Sequence, residues 1–165
     1  MYAHLLVALD GSDAAERVLE HALAIATAFR ARLTLLRASM SAETVLAQTA
    51  SGGPAVADVT APVDPEPIVE AERAEAADYT EGVAARLRQA GLEVDIDLPA
   101  GRAEEMIVER AAALGVDLIL MTTHGRSGLR RAVFGSVADS VLRHAACPVL
   151  LVRITDRDTE SATPT

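Results

Sequence analysis

Three kinds of residue are scarce or missing in this chain, and each absence excludes a kind of chemistry. Lysine is absent and all 15 basic residues are arginine, which rules out a Walker-type phosphate lysine and a Schiff-base lysine. Tryptophan is also absent, and only two Tyr and two Phe are present, so the core must consist of Leu, Val, Ile and Ala. The single Cys147 excludes an internal disulfide and agrees with a reducing compartment.

Charge and hydropathy narrow the class of protein further. No apolar run approaches the ~20 residues that a membrane-spanning helix needs, and residues 1–9 do not resemble a signal peptide, so we expect a cytoplasmic protein without a membrane partner. A net charge of −9 argues against nucleic acid as a partner, because phosphate-backbone contacts need a basic face. The composition, 50% hydrophobic over 165 residues, predicts one domain over residues 1–153 and a disordered polar tail over residues 154–165.

Short apolar runs alternate with helical patterns along the chain. Strands are predicted at residues 3–9, 33–38, 92–98, 116–121 and 148–152. Helices are predicted from a cap at Ser12 or Asp13 to Phe29, over residues 68–90 and 103–114, and from residue 136 to residue 145. Residues 39–67 are rich in small residues, Gly and Pro, and they predict a long, partly mobile loop. This alternation indicates an α/β fold with a mostly parallel sheet and helices on both of its faces.

The segment after the fourth predicted strand has the composition of a phosphate-binding loop. It contains Gly125 and Gly128, and Gly135 and Ser136 then open a helix. Glycine lets a backbone approach phosphate oxygens closely, and a helix start offers free N–H groups and the positive end of a dipole. Ser127 and Ser136 add hydroxyl groups, and three arginines add local positive charge to an acidic chain: Arg126, Arg130 and Arg131.

The place of this segment in the fold strengthens the interpretation, because ligands of open parallel sheets bind beyond the carboxyl ends of the strands. Asp10 and Ala38 follow the first and second predicted strands and meet the glycine segment at that edge. Two readings of Asp10 remain open, a ligand for ribose or phosphate-bound Mg²⁺ and a helix-cap or turn residue. Two interpretations of His124 also remain open, a contact with a phosphate and a hydrogen bond within its own loop.

Two stretches resemble the universal stress protein family and together cover most of the chain. MTTHGRSGLRRAVFGSVADSVLRHAACPVLLVR, residues 121–153, resembles the carboxyl-terminal signature of the family, and HLLVALDGSDAAERVLEHALAIA, residues 4–26, resembles its first strand and helix. The resemblance implies a three-layer α/β/α, Rossmann-like fold of the adenine-nucleotide α-hydrolase-like type. Its five parallel strands would have the order 3-2-1-4-5.

The ATP-binding branch of the family carries Gly, two residues, Gly, nine residues, and then Gly followed by Ser or Thr. This sequence has Thr122 at the first position, Gly125 at the second, and Gly135 and Ser136 at the end, so the first glycine is replaced. Arg37 stands where the family frequently has histidine. The resemblance implies a site for ATP, ADP or AMP, with Mg²⁺ held through the phosphates at Asp10. Its cofactor-binding residues would be Ala8, Leu9, Asp10, Ala38, Met121, Thr122, His124, Gly125, Arg126, Ser127, Gly128, Gly135, Ser136 and Val137.

Three functions are consistent with these residues. The first is a regulatory, ATP-binding universal stress protein of the stress response that hydrolyses ATP little or not at all. It would form a homodimer through the apolar strand bounded by Pro148 and Val152, since exposed strand edges tend to be paired. The second is a slow ATPase or nucleotidyl-transferring enzyme that uses Asp10 and Mg²⁺. The third is an interaction module that keeps the fold without the nucleotide, which the Thr122 replacement permits.

Overall fold

The computed structural model of the protein describes residues 1–50, 64–124 and 135–154. Strands and helices alternate through these residues. The strands are β1 (His4–Ala8), β2 (Arg32–Leu36), β3 (Val94–Asp97), β4 (Leu118–His124) and β5 (Val149–Ile154). The helices are α1 (Val18–Phe29), α2 (Ala42–Ala50), α3 (Glu66–Gln89), α4 (Ala103–Leu114) and α5 (Ser136–His144), and a 3₁₀ turn (Ala15–Arg17) precedes α1.

All five of these strands are parallel, and their order across the sheet is β3-β2-β1-β4-β5. The chain therefore builds the sheet outward from β1 through β2 to β3, then crosses back to place β4 on the other side of β1, with β5 beyond it. This topology confirms the predicted parallel α/β fold and its strand order. It also places the reversal of strand order between β1 and β4.

Strand β1 is the centre of the core because helices cover both of its faces, and each of its five residues is buried. Leu5 and Val7 belong to a cluster that includes residues of α1 and α3. Leu6 and Ala8 belong to a second cluster, with residues of α4 and α5. Full burial of each leucine contributes roughly 1.5–3 kcal/mol to the stability of the fold relative to exposure, so both clusters stabilise the arrangement with helices on each face of the sheet.

Helix α2 corrects the prediction of an unbroken loop over residues 39–67. The Ser41 hydroxyl oxygen accepts a hydrogen bond from the backbone N–H of Thr44 at 3.2 Å, which caps the start of the helix. Val45 is buried, whereas Leu46 is 46% exposed. Among residues 42–47 of this helix, Val45 is the one buried apolar residue, so there is no repeated apolar pattern to reveal the helix.

Helix α3 is the longest helix of the described chain, with 24 residues, and it starts two residues before the predicted start. Pro67 lies in its first turn, where a missing N–H costs nothing because the first N–H groups have no intrahelical partner. Its buried residues all lie beyond the first ten residues of the helix: Ala76, Thr80, Val83, Ala84 and Leu87. The helix ends at Gln89, one residue before the predicted end, and Gly91 follows it with a φ of 88°, which suits a residue just past a helix end.

None of the helices in residues 1–50, 64–124 and 135–154 is both long and apolar enough to cross a membrane.

A buried histidine joins β1 to its neighbours at the amino ends of the strands. The His4 side chain is 4% exposed, and Arg32 Nη2 lies 3.1 Å from its Nδ1. Nδ1 also lies 3.3 Å from the Leu114 carbonyl oxygen, and Nε2 is hydrogen-bonded to the Thr34 hydroxyl at 2.7 Å. Burial and then the Arg32 charge lower the pKa of His4. The fold therefore holds this ring in its neutral form.

We expect the stability of the protein to fall as the pH drops from 7.5 through 6.5 to 5.5. The pKa of His4 is lower in the folded state than the ~6.5 of an unfolded chain, so the unfolded state binds more protons in this window. Urea unfolding at the three pH values measures the slope. The slope should shrink in His4→Gln and persist in His21→Gln, a control at an exposed position of α1. Equal slopes in wild type and His4→Gln would contradict the assignment.

Candidate functional site

The chain leaves β1 through a tight polar turn. Asp10 Oδ1 accepts hydrogen bonds from the backbone N–H of Ser12 at 2.9 Å and from its hydroxyl at 2.6 Å. The Ser12 hydroxyl oxygen in turn accepts the N–H of Ala15 at 3.1 Å, so Ser12 caps the 3₁₀ turn, as predicted for this position. Gly11 between them has a φ of 87°, a left-handed conformation that favours glycine. These bonds fix the Asp10 carboxylate relative to the end of β1.

Arg37, which follows β2, packs against this turn. A Cβ atom on Gly11 would lie 2.9 Å from the Arg37 guanidinium carbon. The guanidinium also lies 5.3 Å from the centre of the Tyr79 ring and 3.3 Å from a Glu75 carboxylate oxygen. Arg37 is mostly buried, with 12% of its side chain exposed, so it connects the turn to α3 by packing as well as by charge.

Tyr79 adds an unusual hydroxyl to this region. The hydroxyl is buried and has no hydrogen-bond partner of good geometry among the described residues. Burial, followed by the nearby Glu16 carboxylate, raises the pKa of Tyr79 to about 12. The phenol therefore stays protonated at physiological pH.

A cleft of about 250 Å³ opens beside Asp10, between the carboxyl ends of β1 and β4. This is the point where the strand order reverses, and open α/β sheets bind their ligands at such points. Its described lining comes from the end of β1, the 3₁₀ turn, the starts of α4 and α5, and the end of β4: Ala8, Leu9, Asp10, Ala15, Ala103, Ile107, Met121, Thr122, Thr123, Gly135, Ser136, Val137 and Ala138.

Two helices direct their amino ends into the cleft. Helix α4 begins at Ala103 and α5 at Ser136, and among residues 1–50, 64–124 and 135–154 no side chain caps either helix start. The first N–H groups of a helix lack intrahelical acceptors, and they coincide with the positive end of the helix dipole. The cleft therefore favours an anionic group close to Ser136.

Asp10 is the one ionisable side chain among the described lining residues, which otherwise supply hydroxyl groups and apolar surface. The described residues also contain no group of three or more His, Cys, Asp and Glu side chains placed to hold a metal ion. A Mg²⁺ ion commonly binds through one or two carboxylates together with phosphate oxygens. The donor set around Asp10 fits that arrangement and does not fit a cage made of protein ligands alone.

Eight of the fourteen residues predicted for the site lie together in this cleft: Ala8, Leu9, Asp10, Met121, Thr122, Gly135, Ser136 and Val137. Ala38 does not line it; it follows β2 on the far side of β1. His124 ends β4, and nothing is described of its side chain. The remaining four, Gly125, Arg126, Ser127 and Gly128, lie outside the described residues, as do Arg130 and Arg131.

The cleft also includes five residues that the sequence did not indicate: Ala15, Ala103, Ile107, Thr123 and Ala138. Four of them are apolar and carry no chemical signature, and their periodicity indicates only that they face the sheet. Thr123 had a usable signal. Because side chains alternate along a strand, Thr123 must point to the face of the sheet opposite that of Thr122. That face is the one that α4 and α5 cover.

A doubly wound parallel sheet with a cleft at its switch point defines a class of α/β proteins that bind ligands beyond the strand ends. Within that class, the model of the universal stress protein family matches residues 1–153. A universal stress protein of Methanocaldococcus jannaschii is 30% identical over 153 residues, which cover 93% of this chain and 83% of the relative. A putative universal stress protein of Staphylococcus haemolyticus is 30% identical over 174 aligned positions, which cover 99% of this chain and 94% of the relative. The chain belongs to the universal stress protein family.

Solved structures agree with this assignment. A universal stress family protein from Burkholderia pseudomallei is 30% identical, with a TM-score of 0.66 over 92% of this chain and 96% of that one. Two more distant structures share the fold and contain ligands. A universal stress protein in complex with cAMP is 22% identical, with a TM-score of 0.64 over 92% of this chain and 96% of that one. An Arabidopsis thaliana family member with AMP bound is 17% identical, with a TM-score of 0.65 over 97% of each chain.

We expect Gly11→Ala to destabilise the fold by roughly 1–3 kcal/mol, because alanine is strained at a φ of 87° and its methyl group would displace Arg37. The matched control is Gly82→Ala, in the exposed interior of α3, where a Cβ meets nothing within 4 Å. That change should stabilise the protein by about 0.5–1 kcal/mol. Urea unfolding of both variants tests the pair, and equal effects would show that the turn after β1 is not under conformational constraint.

Proposed function

We propose that this family member is a cytoplasmic, dimeric regulatory protein of the stress response that binds an adenine nucleotide at the cleft between β1 and β4. The observation that carries the proposal is the start of α5, which lines the cleft at the sheet's switch point and which no described side chain caps. Free N–H groups and a positive dipole end are suited to phosphate. The cAMP and AMP complexes support it, since they show that this fold accommodates adenine nucleotides.

The described chemistry of the cleft favours binding over turnover. Hydrolysis needs a base or a water-positioning group close to the phosphates. Asp10 is the candidate among the described lining residues, and its Oδ1 already accepts two hydrogen bonds from Ser12. We therefore assign Asp10 to holding the turn and, with the phosphates, a Mg²⁺ ion. ATP is the nucleotide we propose, bound with little or no hydrolysis.

Thr122 stands in the cleft wall in place of the first motif glycine, and it is half-buried. Its side chain narrows the approach that bare backbone would leave, and it adds a hydroxyl group there. If the site had lost its nucleotide through this replacement, freshly purified protein would release no adenine nucleotide on denaturation, and ATP would not raise its melting temperature. Mass spectrometry of the released small molecules, together with the thermal shift, separates the nucleotide-binding protein from a pure interaction module.

The Gly135→Asp variant should lose ATP affinity by at least about tenfold while remaining folded. Gly135 has a φ of −53°, and a Cβ there meets nothing within 4 Å, so a side chain is tolerated. At this N-cap position the carboxylate would accept hydrogen bonds from the N–H groups that the phosphate needs. Its negative charge would also repel the phosphate. Calorimetric titration with MgATP, paired with a thermal melt, measures both effects.

Gly135→Asn is the matched control, because it caps the same N–H groups without the charge. Its loss of affinity should be smaller than that of Gly135→Asp. Full affinity in a folded Gly135→Asp protein would mean that the phosphate binds elsewhere.

The dimer that we propose forms along β5, the last strand of the described sheet. Four apolar residues of this strand are each only partly buried: Val149, Leu150, Leu151 and Val152. An apolar edge strand exposes unpaired backbone groups and readily pairs with a second copy.

Light scattering at micromolar concentration should give a mass near twice the 17.3 kDa of one chain. Val149→Lys, which puts a charge on the edge, should shift the mass toward one chain. Ile68→Lys, at an exposed apolar position of α3, should leave it unchanged. A monomeric wild type would refute the dimer and leave the nucleotide site untouched.

A further inference from the structure

The hydroxyl of Thr123 is one of two buried hydroxyls in the described chain that lack a hydrogen-bond partner, and the other is that of Tyr79. Thr123 is 5% exposed, and its Oγ1 is shielded from water and has no hydrogen-bond partner among the described residues. The other buried threonines are satisfied: the Thr34 hydroxyl is hydrogen-bonded to His4 Nε2, and Thr80 donates to the carbonyl of Ala76 at 2.7 Å. Most buried polar side chains have a partner, and an unsatisfied one is costly.

The location of Thr123 suggests what satisfies it. Thr123 lies in the cleft wall two residues beyond Met121, on the sheet face covered by α4 and α5. Ile107 of α4 and Ala138 of α5 line the same part of the cleft. The hydroxyl is shielded from water in this lining residue, and rotation about χ1 exchanges it with the methyl group on the same Cβ.

We propose that Thr123 is a binding residue that donates a hydrogen bond from Oγ1 to a phosphate oxygen of the nucleotide. This inference rests on the proposed nucleotide function and assigns one of its contacts to a side chain that lies between the first two positions of the glycine motif. The anion is the expected partner because the amino ends of α4 and α5 both face this part of the cleft. The nucleotide phosphate then supplies hydrogen-bond acceptors to two kinds of donor that lack one among the described residues, the first N–H groups of α5 and the Thr123 hydroxyl.

Thr123→Val tests the proposal, because valine keeps the shape of the side chain and removes the hydroxyl. The free variant should melt at the same temperature as the wild type or higher, since a buried hydroxyl without a partner contributes no stability. AMP affinity, measured by calorimetry, should fall about tenfold or more, as expected for a hydrogen bond to a charged group. Adenosine affinity should stay unchanged, because adenosine lacks the phosphate. Thr123→Ser, which retains the hydroxyl, should retain most of the AMP affinity.

Each outcome decides between the proposals. A wild type that binds neither AMP nor ATP overturns the nucleotide function and this contact with it. A wild type that binds AMP, with unchanged affinity in Thr123→Val, overturns this contact alone. Equal losses for AMP and adenosine in Thr123→Val would place the hydroxyl at the nucleoside and overturn the phosphate assignment. A marked drop in the melting temperature of the free variant would show that the hydroxyl has a partner in the free protein.

Discussion

Burial of β1 on both faces is the constraint on which the rest of the structure depends. A strand with leucines pointing both ways, such as Leu5 and Leu6, is stable only if helices cover each side of the sheet. The chain meets this requirement by building outward from β1 in one direction and then returning to build in the other. The reversal leaves the carboxyl ends of β1 and β4 uncovered by any crossover between them, and the cleft lies there. The site is therefore a consequence of how the core is covered.

The parts of the fold that the sequence predicted well are those where one pattern dominates over many residues. Helices α1, α3 and α4 have repeated apolar positions, four strands are apolar runs, and β3 alternates apolar and acidic residues, so these elements were predicted within a few residues of their observed ends. The exception is the start of α1, which lies at Val18, after a 3₁₀ turn, and not next to Ser12 or Asp13. Helix α2 was missed because its evidence is local: the capping side chain of Ser41 and one buried residue, Val45. Periodicity cannot detect a helix that buries so little, and the prolines and glycines that follow it favour a loop.

The site was predictable where position and chemistry coincide. Asp10 follows the central strand, and Gly135 and Ser136 open a helix at the same edge, so edge position and residue type identified them together with their neighbours. Ile107 and Ala103 escaped prediction because apolar residues at a helix start do not differ from core residues in sequence. The family resemblance implied Ala38 as a cofactor-binding residue, but the cleft forms between β1 and β4 and leaves the end of β2 outside.

The length of α3 divides that helix into two parts with different local stabilities. Its 24 residues span about 36 Å, whereas a five-residue strand spans only about 17 Å, so the helix extends well past the sheet. The half from Ala76 onward is anchored by buried side chains, while the earlier half is held mainly by surface contacts such as the Glu72 carboxylate, which accepts the N–H of Met40 at 2.9 Å. The earlier turns can therefore open without disturbing the core. Their amide hydrogens should exchange by local fraying, and those beyond Ala76 by the rarer opening of the whole domain.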